Sequence, residues 1–225
     1  MRFQSAAPDG RAGVYAAIQA DPLVARAAEL LSGASQAERV LARAVMNGES
    51  LDPDRWRRMF PGLFGPAAAG DRARPEAILA AALAVADRGD QVRSQLRGAI
   101  VEELTARLLA RRAPAAAVRR ERRILFDGVP AEIHPYDVTL ELAVGAEAFD
   151  CKWGARGINA DVLHQLDDAR SHATDEDEAL AVALVIFDAE RSCRVRLEAQ
   201  TASHGQTRLV ALEQLDALAQ PGSGG

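Results

Sequence analysis

The sequence predicts an α/β fold preceded by an all-helical N-terminal region, and three observations carry that expectation. Residues 1–90 repeat Ala, Leu and Val at three- and four-residue spacing and show no strand signal. Residues 136–153 instead alternate polar and apolar side chains in two short runs around a turn near Gly145. Ala181 to Phe187 is an unbroken apolar run, the pattern of a strand buried on both faces.

The helical region divides by its punctuation. Apolar spacing runs from Val14 to Leu31 and again from Ala37 to Met46, with Ser35 and Glu38 placed as a capping box. Asp52-Pro53-Asp54 opens a short helix through Trp56 and Met59, which Phe60-Pro61-Gly62 closes. A linker rich in Ala, Gly and Pro spans residues 65–75, and a helix follows from about Glu76 to Asp87. Arg88-Gly89-Asp90 marks the boundary, giving a helical region at 1–87, a second domain at 88–220 and a flexible tail at 221–225.

The second domain opens with a helix from about Gln91 to Arg112, with Ile100, Val101, Leu104 and Leu108 along one side. Six arginines crowd residues 111–123 against a single acid, Glu121. Guanidinium groups contact phosphate bidentately, so Arg119, Arg120, Arg122 and Arg123 are candidate contacts to a polyanion, with a solvated linker as the other reading. Ile124-Leu125-Phe126 reads as a strand before the Asp127-Gly128 turn, leading through Ile133 and His134 to the next strand.

In the run from Ala148 to Trp153, alternation puts Ala148, Asp150 and Lys152 on one face and Phe149, Cys151 and Trp153 on the other. Asp137 lies beside the polar face if its strand pairs with this one. Two carboxylates and an ammonium on a half-buried sheet face are expensive to desolvate unless they pair or hold a ligand. Lys152 is moreover the only lysine among 27 basic residues. A chain that uses arginine everywhere else keeps a compact ammonium here, and the two cations differ chemically.

After Trp153, glycines break the chain and a helix runs from about Asn159 to His172. Residues Thr174 to Glu178 read as an acidic, solvent-facing loop. Beyond the apolar run, Arg194-Val195-Arg196-Leu197 alternates as an edge strand would, and Leu209 to Leu218 reads as a closing helix.

Asp137, then Asp150-Cys151-Lys152 thirteen residues on, resembles the site of the PD-(D/E)xK nuclease superfamily, the restriction-endonuclease-like fold. Tyr136 stands where that pattern has its proline, with Pro135 one place earlier. Gly98 four residues before Glu102 on a helix, and Gln165 on the helix after the DxK strand, are similar to further features of the superfamily. The resemblance implies an α-β-β-β-α-β core, a mixed central sheet flanked by helices, over about residues 91–200. It also implies metal ligation by Asp137, Asp150, Glu102 and the backbone carbonyl of Cys151, catalysis by Lys152, and a substrate-side role for Gln165. Glu103 competes with Glu102 on helical periodicity.

A ligand set of hard oxygens without His or Cys side chains favours Mg²⁺ or Mn²⁺ over zinc. The reading is therefore a Mg²⁺-dependent endonuclease, DNA-cleaving in a restriction, defence or DNA-processing setting. An RNA-cleaving toxin or effector with the same site, and a non-catalytic nucleic-acid- or protein-binding module, are the alternatives. The net charge of −5 argues against a protein that coats nucleic acid indiscriminately. No run approaches the ~20 apolar residues of a membrane span, no signal-peptide pattern opens the chain, and two isolated cysteines fit a reducing cytoplasm. Residues 1–87 are left as a region for dimerisation, a protein partner or target recognition.

Overall fold

The computed structural model describes residues 1–5, 10–66, 72–130, 134–200 and 207–220. It divides into a helical unit, Asp9–Leu104, and a sheet unit formed by Met1–Pro8 and Thr105–Gly225. The division falls within a helix rather than at Arg88–Asp90, and the first residues belong with the sheet.

The helical unit holds α1 (Gly10–Gln19), α2 (Pro22–Ser32), α3 (Gln36–Asn47), α4 (Pro53–Met59), α5 (Pro61–Phe64), α6 (Ala73–Ala86) and most of α7 (Asp90–Leu109). Asp21 caps α2 by accepting from Leu23 N–H, and Pro22 takes the first helical position, so the apolar spacing from Val14 to Leu31 is two helices. The expected capping box at α3 is present: Glu38 N–H donates to Ser35 Oγ, and Ser35 N–H donates to Glu38 Oε2 at 2.7 Å. Asp52 caps α4 through Asp54 N–H. α6 packs on α2 and α3, burying Val24, Leu31, Leu41, Val45, Ile78, Leu79 and Val85. Part of the expected linker, residues 67–71, lies outside the described residues.

Among the described residues the sheet unit has six strands in the order of the chain: β1 (Arg2–Ser5), β2 (Val118–Leu125), β3 (Tyr136–Glu141), β4 (Ala146–Lys152), β5 (Leu180–Ile186) and β6 (Arg208–Val210). The first three pairings are antiparallel and the last two parallel. The parallel connection from β4 to β5 passes through α8 (Ala160–Asp175), as a crossover requires. Leu163, Leu166, Ala169 and Ala173 of α8 pack with Ala148, Val182, Leu184 and Ile186 in one buried cluster. On the opposite face Cys151 lies against Thr105 from the last turn of α7, Sγ to Oγ1 at 3.5 Å. The fold is thus α/β, a mixed open sheet flanked by helices.

Four sequence expectations are corrected. The N-terminal region is not wholly helical, because Arg2–Ser5 pairs antiparallel with Leu125–Arg122. This edge strand is short and mostly exposed, and only Phe3 leans on the core, so it leaves almost no alternation to read. The arginine run is not a linker: β2 begins at Val118 and carries it into the sheet. Arg194–Leu197 is helical, inside α9 (Glu190–Gln200). Cys193 and Leu197 turn inward four residues apart, Val195 is exposed and Arg194 pairs with Glu190, so the helical period prevails over local alternation. The last strand is β6, followed by 3₁₀ turns over Leu212–Ala219 where a closing helix was expected.

The acidic stretch faces solvent as expected, Thr174, Asp175, Asp177 and Glu178 being exposed, but it is not a loop throughout. α8 continues to Asp175, and Glu176 and Glu178 accept hydrogen bonds from the Met1 ammonium at 3.0 and 2.7 Å. Ile133 and residues 221–225 lie outside the described residues. Among the described residues no helix is long and apolar enough to cross a membrane.

Candidate functional site

β3 and β4 build the site because their register does. Val138 faces Phe149 and Thr139 faces Ala148, so one further step brings Asp137 level with Asp150 at the carboxyl end of β4. Asp150 and Lys152 share Ala148's face, level with Leu184 and Ile186 of β5. Lys152 Nζ donates to Asp150 Oδ1 at 2.6 Å and stands 4.0 Å from Asp137 Oδ2. Asp137 Oδ2 also accepts from the backbone N–H of Cys151 at 2.6 Å. All three side chains are largely but not wholly withdrawn from solvent, 18%, 16% and 29% exposed for Asp137, Asp150 and Lys152. A ligand can therefore still reach them.

Burial alone would lower the Lys152 pKa. The negative charges of Asp137 and Asp150 outweigh it and hold the ammonium above the ordinary lysine range. Lys152 is thus a positive charge and a hydrogen-bond donor at the site.

No protein-family model, curated protein or solved structure matches this chain. The site is accordingly read from its own geometry. Among the described residues, no three His, Cys, Asp or Glu side chains come together to hold an ion. The donor set here is two carboxylates with an ammonium between them. That fits a hard divalent cation of the Mg²⁺ type, which binds through one or two carboxylates and keeps several waters.

The remaining sequence candidates occupy varied positions. Glu102, buried in the helical unit, accepts from Tyr15 Oη through Oε1 and from Gln19 Nε2 through Oε2, the latter at 2.9 Å. A Cβ on Gly98 would lie 3.4 Å from the Tyr15 hydroxyl, an ordinary contact, so packing does not demand that glycine. Gln165 Nε2 donates to the His134 carbonyl at 2.9 Å, and the Gln165 carbonyl accepts from Tyr136 Oη at 3.3 Å. Gln165 thus fastens the segment leading into β3, immediately before Asp137.

The arginines of β2 differ from one another. Arg122 is held bidentately by Glu141 at 2.8 and 3.3 Å and also donates to Ser5 Oγ. Arg119 is exposed, while Arg120 and Arg123 are half-buried. Arg112 is nearly buried between Glu147 and the Leu218 carbonyl, a structural position. Between Arg120↔Val138 and Arg122↔Tyr136 the ladder skips Glu121, whose φ of 51° is left-handed. A side chain in that conformation costs about 1–2 kcal/mol.

Sequence reasoning missed the residues that brace this end of the sheet. Trp153 stacks on Phe187 with ring centroids 4.9 Å apart. Asp188 is buried and joins the turn after β4 to the start of α9. Its signal was an acid directly after an unbroken apolar strand.

Within the helical unit, Glu102→Gln is expected to cost about 1–3 kcal/mol, because it disturbs buried hydrogen bonds from Tyr15 and Gln19. Urea unfolding of Glu102→Gln, Tyr15→Phe and the double variant measures this. Coupling of 0.5 kcal/mol or more between the two is expected, and strict additivity would show that the pair does not interact.

Proposed function

We propose that the protein is a divalent-cation-dependent phosphodiesterase, an endonuclease acting on DNA. The observation that carries the reading is the meeting of Asp137, Asp150 and Lys152 at the carboxyl end of β4, with the ammonium 2.6 Å from one carboxylate and 4.0 Å from the other. The succession α7, β2, β3, β4, α8, β5 supports an endonuclease-like core in the same region.

In this reading Asp137 and Asp150 hold Mg²⁺ or Mn²⁺, with the Cys151 carbonyl as a further oxygen. Such a cation supplies Lewis acidity and a water nucleophile at neutral pH. Lys152 orients its hydrogen bonds toward the attacked phosphate and stabilises the negative charge that develops on its oxygens. Arg119, Arg120 and Arg123 on the neighbouring strand carry guanidinium groups of the kind that contact backbone phosphates. Gln165 contributes through the His134–Tyr136 segment that it fastens. Glu102 carries no part of this proposal, since both its oxygens are engaged by Tyr15 and Gln19.

The test is incubation of the full chain with supercoiled plasmid, linear duplex, single-stranded DNA and RNA, each with Mg²⁺, Mn²⁺ or EDTA. Cation-dependent conversion of plasmid to nicked or linear forms is expected. Cleavage confined to RNA would move the substrate class, and inertness toward all four would overturn the enzymatic reading.

A further inference from the structure

A wall of backbone stands against the stem of Lys152. The turn after β4 contains a 3₁₀ segment, Ala155–Gly157, closed by Gly157 N–H to the Gly154 carbonyl at 2.8 Å and by Ile158 N–H to the Ala155 carbonyl at 3.1 Å. A Cβ built on Gly157 would lie 2.7 Å from Lys152 Cγ, 2.8 Å from its Cβ and 3.0 Å from its Cδ. Real Cβ atoms do not approach so closely, and Lys152 Cβ, fixed to its strand, has nowhere to go. Gly157 is thus the one residue type that lets this turn lie flat on the lysine stem.

The turn is pinned from outside. Ala155 N–H donates to Asp188 Oδ2 at 3.0 Å, while Asp188 Oδ1 accepts from Ala189 N–H at 2.7 Å. Phe187 N–H donates to the Lys152 carbonyl at 2.9 Å. Ile158 is fully buried, and its carbonyl accepts from Arg196 Nε at 3.1 Å. The buried Asp188 carboxylate therefore ties the end of β5 to the turn that confines Lys152.

We propose that Gly157 and Asp188 are positioning residues, forming a clamp that fixes the Lys152 stem so that its ammonium sits between Asp150 and Asp137. The chemical purpose of the clamp rests on the phosphodiesterase reading, but its existence does not. It also gives the site its preference for lysine. A slot walled at Cβ to Cδ suits a slender chain with a compact head, and it gives a planar guanidinium no room to swing.

The single lysine makes the clamp directly observable. With ¹³C,¹⁵N-lysine incorporated into the full chain, every lysine resonance belongs to Lys152. In the folded wild type without added cation, two non-equivalent ε-methylene proton resonances are expected, the signature of a held side chain. Gly157→Ala should bring them together or shift them while circular dichroism stays native. Cleavage should lose about a hundredfold in kcat with KM little changed, as misplacing a reacting group by about 1 Å does.

Ala155→Pro, at the first position of the 3₁₀ segment, removes the N–H given to Asp188, and Asp188→Asn weakens the same tie. Both should loosen the lysine signal to a lesser degree, and they carry the test if Gly157→Ala does not fold. Wild-type lysine resonances in whichever of these variants fold would overturn the clamp, as would equivalent ε-protons in the wild type. Non-equivalent ε-protons in a protein that cleaves nothing would overturn the nuclease reading and leave the clamp standing.

Discussion

Lys152→Ala is expected to lower phosphodiester cleavage by about a hundredfold or more while leaving the fold intact, the scale on which one preorganised electrostatic group contributes to a transition state. The ammonium stands 2.6 Å from Asp150 and retains its proton under the influence of two carboxylates. Arg122 and Arg112 do not replace it, because they are bound to Glu141 and Glu147. Lys152→Arg should recover little, although the rest of the chain is served by arginine. The stem lies against Gly157, and the larger planar head cannot take the ammonium's place between Asp150 and Asp137. Plasmid nicking by wild type and both variants under Mg²⁺, with circular dichroism as the check on folding, measures the effect. Full activity in Lys152→Ala would remove the lysine from the chemistry, and full activity in Lys152→Arg would show that positive charge alone suffices.

The heart of this site was legible because it is written in a period of two. Ala148, Asp150 and Lys152 share a face by alternation, and one hairpin register sets Asp137 beside them, so four positions in the sequence determine the cluster. The capping box of α3 was legible for the same reason, since both of its partners lie within one helical turn. What escaped depends on contacts between residues distant in sequence. Asp188 meets Ala155 across 33 residues, and Gly157 is required by a side chain five positions back whose direction only the folded turn defines. Glu102 was assigned by its spacing from Gly98, yet Tyr15 and Gln19, more than 80 residues earlier, engage its oxygens. β1 and β6 are four and three residues long, too short for alternation to register, and they are held by their neighbours in the sheet. Arg194–Leu197 shows the converse, because a pattern of two polar and two apolar residues satisfies either period and packing of Cys193 and Leu197 selected the helix.

Millimolar Mg²⁺ or Mn²⁺ should raise the melting temperature of the wild-type protein, and Asp150→Ala or Asp137→Ala should abolish the rise. A cation that binds only the folded state stabilises it by about 2.7 kcal/mol at a hundred times its dissociation constant. For a chain of this size that corresponds to roughly 5–10 °C. The same electrostatics give Lys152→Ala an opposite sign in binding and in turnover. In the wild type a cation must compete with the ammonium for Asp150, so the charge that serves the reaction opposes cation binding. Removing it leaves two carboxylates that repel each other, as they do whenever like charges share a site. Lys152→Ala should therefore melt lower than wild type in EDTA, gain more on addition of cation, and bind Mn²⁺ more tightly in titration calorimetry while failing to cleave. Weaker cation binding in Lys152→Ala would show that the lysine supports the metal site rather than competing with it. An unchanged cation-induced shift in the Asp137→Ala, Asp150→Ala double variant would place the cation elsewhere on the protein and sink the metal assignment.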